Sequence, residues 1–189
     1  MTFQHYSRWM FASTVLSSCQ SVLSTEAMLT VLGSSEAQRA MNYIGKDILG
    51  QLGGLLVMTG LSKTVDSNPQ RVIKLAHVLQ QTSMGMLLLS PLCPSYFLPI
   101  AGLANVCSNL SFMSFGGINA KCIQSVSTDH NVGELYTKLA INQTLASTLG
   151  LTLGMGLTWG VDLPAEVLFS VLGIGRVVSY QKAVYKILV

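Results

Sequence analysis

The sequence predicts an all-α, multi-pass membrane bundle of about six helices, some of them re-entrant or interfacial. Three observations carry that prediction. Only 10% of the 189 residues are charged while half are hydrophobic, against about 25% charged in an ordinary soluble domain. Residues 75–120 run for 46 positions without Lys, Arg, Asp or Glu. Within that run, Pro91, Pro94 and Pro99 cannot all lie inside one regular helix. Two apolar arms remain, and a bilayer core asks for about 20 apolar residues per crossing, so the run reads as a helical hairpin that enters the membrane and returns. A chain of this length fits one domain, taken here as 1–189.

Each element follows from local signals. A first helix over Trp9–Leu32 stops at Gly33-Ser34-Ser35. Its serines and threonines at 13, 14, 17, 18, 21, 24 and 25 suit a helix packed inside a bundle better than one facing lipid. Glu26 within it needs a partner or access to water. A second helix over Ala40–Leu61 has an uncharged part of only 14 residues, 48–61, short for a crossing. Its Gly50, Gly53, Gly54 and Gly60 let neighbouring backbones approach. A polar turn from Lys63 to Pro69 follows, with Asp66 to Asn68 supplying the cap and Pro69 the first helical position.

In the third helix His77 and Gln81 share a face; they are either a polar site at the membrane boundary or an interhelical hydrogen-bonding pair. The fourth carries Asn105 and Asn109 one turn apart, continued by Phe112 and Gly116. Asparagine at membrane depth is costly unless bonded, so this face should meet another helix. Gly116-Gly117 ends or kinks that helix, and residues 121–138, including His130, form a solvated connection. A fifth helix over Glu134–Trp159 carries two G-x-x-x-G pairs, Gly150/Gly154 and Gly156/Gly160, a pattern for close helix contact. The sixth starts at Pro164 and includes Glu166, Arg176, Lys182 and Lys186.

If all six helices cross, nine basic residues fall on one side and only Arg39 and Lys46 on the other. That bias puts both termini on the cytoplasmic or matrix side, and it depends on the second helix crossing. The first 25 residues hold Arg8, several serines and no acid, which resembles a mitochondrial presequence. The expected location is the mitochondrial inner membrane, with a plastid or another endomembrane as the alternative.

No catalytic pattern emerges. Three scattered histidines and four scattered cysteines (19, 93, 107, 122) make no metal or disulfide framework, and there is no P-loop, dinucleotide fingerprint or nucleophile elbow. We therefore expect no enzyme activity, no metal and no cofactor. A net charge of +3 without a basic run argues against nucleic acid. The cysteines are expected to pack among apolar neighbours. Two glycosylation sequons, Asn109-Leu110-Ser111 and Asn142-Gln143-Thr144, fall within helices and are discounted. Lys46, Asp47, Glu166 and Arg176 are the ionisable residues singled out, because charge near hydrocarbon needs a reason. The bland alternatives are Lys46-Asp47 in the headgroups and Arg176 reaching outward along the lipid boundary.

The order of motifs resembles the root UVB sensitive family. Trp9, the segment Leu23-Ser24-Thr25-Glu26-Ala27-Met28-Leu29, and Gly45-Lys46-Asp47-Ile48-Leu49-Gly50-Gln51-Leu52-Gly53 carry the likeness. So do Asp66-Ser67-Asn68-Pro69-Gln70-Arg71, Ser90-Pro91, Ala104-Asn105, Gly116-Gly117, and Asn131 with Lys138. The resemblance implies a membrane-associated protein of plastids, mitochondria or endomembranes with links to vitamin B6 homeostasis. Where that family carries acids along its third helix, this chain has His77, Gln81 and Leu87, and the acidic cluster after Lys138 is thinned to Asn142-Gln143. The chain is close to the family's bare domain. The expected role is an accessory subunit of a membrane complex, with the bilayer, bound lipids and other membrane subunits as partners; the alternative is a small-molecule carrier with Lys46, Asp47 or Arg176 as ligands.

Overall fold

The computed structural model describes residues 3–33, 35–128 and 131–188, with the side chains of 54–66, 186 and 188 left aside. The described residues form six α-helices and no strand: α1 Phe3–Leu29, α2 Glu36–Ser67, α3 Pro69–Leu88, α4 Phe97–Val126, α5 Val132–Gly160 and α6 Ala165–Leu188. Two single-turn 3₁₀ segments, Ser90–Leu92 and Pro94–Tyr96, join α3 to α4. The chain packs as two compact units, Ser24–Ile118 and Met1–Leu23 with Asn119–Val189.

In the unit of residues 24–118, Gly33 has φ +121° and turns the chain from α1 into α2. Its carbonyl accepts from Arg39 Nε at 2.9 Å, and the Leu32 carbonyl accepts from Asn42 Nδ2 at 2.9 Å. A side chain at position 33 would collide with Gln38, as well as adopt a backbone conformation suited to glycine.

α2 is longer than expected. Residues 63–67 stay helical, and the polar turn shrinks to the single residue Asn68 at φ −147°, ψ 72°. The cause is Pro69, whose ring drives the preceding residue out of the helical region. Asn68 then caps α3 by accepting from the Arg71 N–H, with Pro69 in the first turn.

α3 buries Val72, Ile73, Ala76, His77, Ser83, Met84 and Leu88, one helical stripe. Ser24 donates to the Met84 carbonyl at 2.9 Å and Ser111 to the Ala76 carbonyl at 2.8 Å, so hydroxyls tie α1 and α4 to α3. Met28, Leu32, Phe97 and Ala101 form a buried apolar cluster. Phe97 is delivered to it by the proline turns. Contrary to expectation, α4 runs through Gly116-Gly117 to Val126. Each glycine costs a helix about 1 kcal/mol, and buried Ser114 and Ile118 on either side hold it in place.

In the other unit, α1 uses its polar residues as anticipated. Ser18 meets Ser147 Oγ, Cys19 and Gln20 donate to the carbonyls of Gly150 and Phe169, and Ser13 donates to that of Arg176. Glu26, farther along α1, is exposed. α5 buries Leu135, Leu139, Ala146, Gly150 and Gly154. α6 opens after Pro164, whose carbonyl accepts from the Val167 and Leu168 N–H groups.

Among the described residues two stretches are long and apolar enough to cross a membrane, Pro94–Val126 and Ala165–Tyr185. Length alone would qualify more: α5, at 29 residues, measures about 43 Å against a hydrocarbon core of about 30 Å.

Candidate functional site

Helix α2 presents Lys46 and Asp47 to α4. Lys46 Nζ lies 2.7 Å from Asp47 Oδ1 and 4.2 Å from the centre of the Tyr43 ring. Asn105 Nδ2 donates to the same carboxylate oxygen at 2.9 Å and to the Lys46 carbonyl at 3.2 Å. Gly50 makes room for this: a methyl there would fall 2.6 Å from the Asn105 side chain. Gly53 against Val106 and Gly102 against Leu49 extend the close approach. The Lys46 side chain is only 12% exposed, Asp47 41%. The pair therefore has its lysine drawn into the helix contact and its carboxylate partly open. It is a polar clamp between two helices, with one carboxylate oxygen accepting from a cation and an amide.

Asn109, a turn beyond Asn105, is half-buried. The stripe that sequence reasoning continued through Phe112 breaks there, because Phe112 is 76% exposed. His77 is buried with its ring edge-on to Phe115 at 5.0 Å, and Gln81 is half-buried a turn away. Both lie in the same unit as the clamp. Its burial and its contact with Phe115 place His77 inside a packed helix pair.

The remaining singled-out residues belong to the other unit. A side chain on Gly150 would strike the Val15 carbonyl and lie 2.7 Å from Ser18 Cβ; one on Gly154 would lie 2.8 Å from Val22. This G-x-x-x-G pair is a helix contact, as its spacing suggested. Gly156 and Gly160 meet no described atom within 4 Å. Arg176 is only 5% exposed. It packs inside its unit and does not reach outward along the surface. Glu166 is exposed.

A polar knot near Arg176 escaped the sequence reading. The hydroxyls of Tyr6 and Tyr180 both donate to Asn119 Oδ1, at 3.0 and 3.3 Å. Tyr6 precedes the expected start of α1, and Asn119 follows the glycine pair expected to end or kink α4, so neither was singled out. A tyrosine one turn ahead of Met10, in phase with the buried face, was the available signal.

Two further expectations resolve simply. Cys19 and Cys122 are buried and Cys107 half-buried, but Cys93 is exposed in the proline turn. Asn142 Nδ2 donates to the carbonyl and hydroxyl of Ser7, which occupies the amide of that sequon. His130 lies outside the described residues. Among the described residues no group of three His, Cys, Asp or Glu could hold a metal ion.

Fold and site together define a class: an all-helical protein whose interhelical contacts are polar clamps and glycine seats, with many large apolar side chains turned outward. The chain belongs to the root UVB sensitive family, since the family's vitamin B6 photo-protection and homoeostasis domain matches residues 1–188. It is 32% identical over 155 residues to protein root UVB sensitive 4 of Arabidopsis thaliana, covering 79% of this chain and 30% of that protein. It is 30% identical over 169 residues to the chloroplastic root UVB sensitive 2 of the same plant, covering 86% and 39%. The match to root UVB sensitive 3 is 28% over 139 residues, covering 71% and 32%. The chain thus spans about a third of the length of these relatives. No solved structure matches it.

Proposed function

We propose that this chain is a multi-pass membrane protein without enzymatic activity, acting as an accessory subunit of an organellar membrane complex. The observation that carries the reading is the outward face of the unit containing α5 and α6. Ile141, Leu145 and Leu149 are exposed along α5, and Val167, Val171, Ile174 and Val178 along α6. In water such exposed apolar rows are an aggregation hazard, since soluble monomers rarely present large apolar patches. In a bilayer they are the required surface. Gly156 and Gly160, open on α5, offer a close-contact seat for a helix of another subunit. The mitochondrial inner membrane, with both termini in the matrix, is the location this reading adopts from the charge bias and the Arg8-bearing first segment. Protein extracted from native membranes in a mild detergent should migrate on a native gel as a complex well above its own mass. Migration solely as a 20.3 kDa monomer in its micelle contradicts the subunit role.

A second reading is supported by the description of the matched domain, which names vitamin B6. In it the chain handles a vitamer, with Lys46 as the primary amine held by Asp47 and Tyr43. Purified protein should then bind pyridoxal 5′-phosphate in a manner lost in Lys46→Ala. Binding unchanged by that substitution removes the clamp from this role.

A further inference from the structure

Helices α1 and α6 enclose an open cleft of about 500 Å³ lined by His5, Trp9, Val178, Gln181, Lys182 and Tyr185. Lys182 Nζ sits 4.6 Å from the centre of the Trp9 ring, and the His5 ring stands edge-on to Trp9 at 6.4 Å. Among the described residues no carboxylate lines the cleft. One wall is therefore cationic and hydrogen-bonding, and the others are aromatic. Beyond Val178 the exposed stripe Ile174, Val171 and Val167 runs back along α6. From Val167 to Lys182 the helix rises about 22 Å.

We propose that this cleft binds the headgroup of an anionic phospholipid, its phosphodiester at Lys182 with His5 and Gln181 as neighbours, and its acyl chain along the Val178-to-Val167 stripe. The inference rests on the membrane reading given above. Tryptophan and tyrosine with amphipathic rings settle at headgroup depth, and a lysine there keeps its stem on apolar surface while its ammonium reaches phosphate. A free phosphate compound would use the same cation but gains nothing from the apolar stripe. A second cleft, of about 380 Å³, flanks the same turns of α1 and adds Arg8, with Phe3 and Phe11. Two clefts beside the same turns of α1, each pairing a cation with aromatics, are what an anionic headgroup layer calls for.

The chain has only two tryptophans, and Trp159 at the end of α5 is 83% exposed. Trp159→Phe therefore leaves Trp9 as a reporter inside the cleft. The variant is reconstituted in phosphatidylcholine vesicles containing equal fractions of brominated phosphatidylglycerol or brominated phosphatidylcholine, and quenching of Trp9 is compared. The glycerol lipid should quench at about fivefold lower content, the ratio equivalent to ~1 kcal/mol for one basic residue at an anionic surface. Lys182→Gln should abolish that preference and Lys182→Arg should keep it. Equal quenching by the two lipids, or a preference that survives Lys182→Gln, overturns the headgroup site while leaving the membrane reading intact. No quenching by either lipid overturns both. Loss of the preference on adding inorganic phosphate overturns the lipid assignment and makes the cleft a site for a soluble phosphate compound.

Discussion

Asn105 of α4 and Asp47 of α2 meet through one hydrogen bond, Nδ2 to Oδ1 at 2.9 Å, and Lys46 closes on the same oxygen at 2.7 Å. Two helices are thereby joined through a single carboxylate oxygen. Removing the amide leaves the carboxylate with one fewer donor at the helix contact. Asn105→Ala should lower the melting temperature in detergent by an amount equivalent to about 1 kcal/mol. Combined with Asp47→Ala it should cost less than the two single changes added, because both act on the same bond. Strict additivity in that cycle contradicts the clamp.

The two G-x-x-x-G pairs of α5 should separate experimentally. Gly150→Ala places a methyl against the Val15 backbone, which cannot rotate away, and overpacking of this kind costs about 1–3 kcal/mol. Gly156→Ala, with open space around it, should not lower the melting temperature of the isolated chain and should raise it slightly, since alanine is favoured over glycine within a helix. In native membranes it should reduce the yield of the complex if a partner helix sits there.

Tyr6 and Tyr180 share the acceptor Asn119. Tyr6→Phe and Tyr180→Phe should each destabilise by about 1 kcal/mol. Asn119→Leu should cost more than either, since two buried hydroxyls then lose one acceptor. Thermal unfolding of the three variants side by side measures this ordering.

At the start of α5, the hydrogen bond and charge of Lys138 hold the Glu134 carboxyl below its ordinary range. A carboxyl depressed in the folded state stabilises that turn above its unfolded pKa, and the contribution is lost as pH falls through the folded value. Amide protection over residues 132–138, measured relative to the intrinsic exchange rate at each pH, should therefore fall on acidification through the carboxylate range. Glu134→Gln should flatten that dependence; an unchanged acid response places its origin elsewhere.

Helix number and order were legible because proline and glycine punctuate this chain sharply. Asn68-Pro69 and the Pro91-to-Pro99 segment fell where expected. The ends of α2 and α4 were not legible, since each continues through residues of poor local helix propensity. Asn105 could be singled out, because an amide in an apolar helix requires a partner. That Lys46 and Asp47 supply it could not be read from one sequence, as the pairing depends on the separation allowed by Gly50. Arg176 misled for the opposite reason: an arginine near a helix end suits a lipid boundary, and only the packing of α6 against α1 places it inside.

The central claim is that lipid solvates the outer faces of these helices. Washing native membranes with alkaline carbonate and sedimenting them tests it most directly. The chain should remain wholly in the pellet and be released only by detergent. Recovery in the carbonate supernatant contradicts the claim.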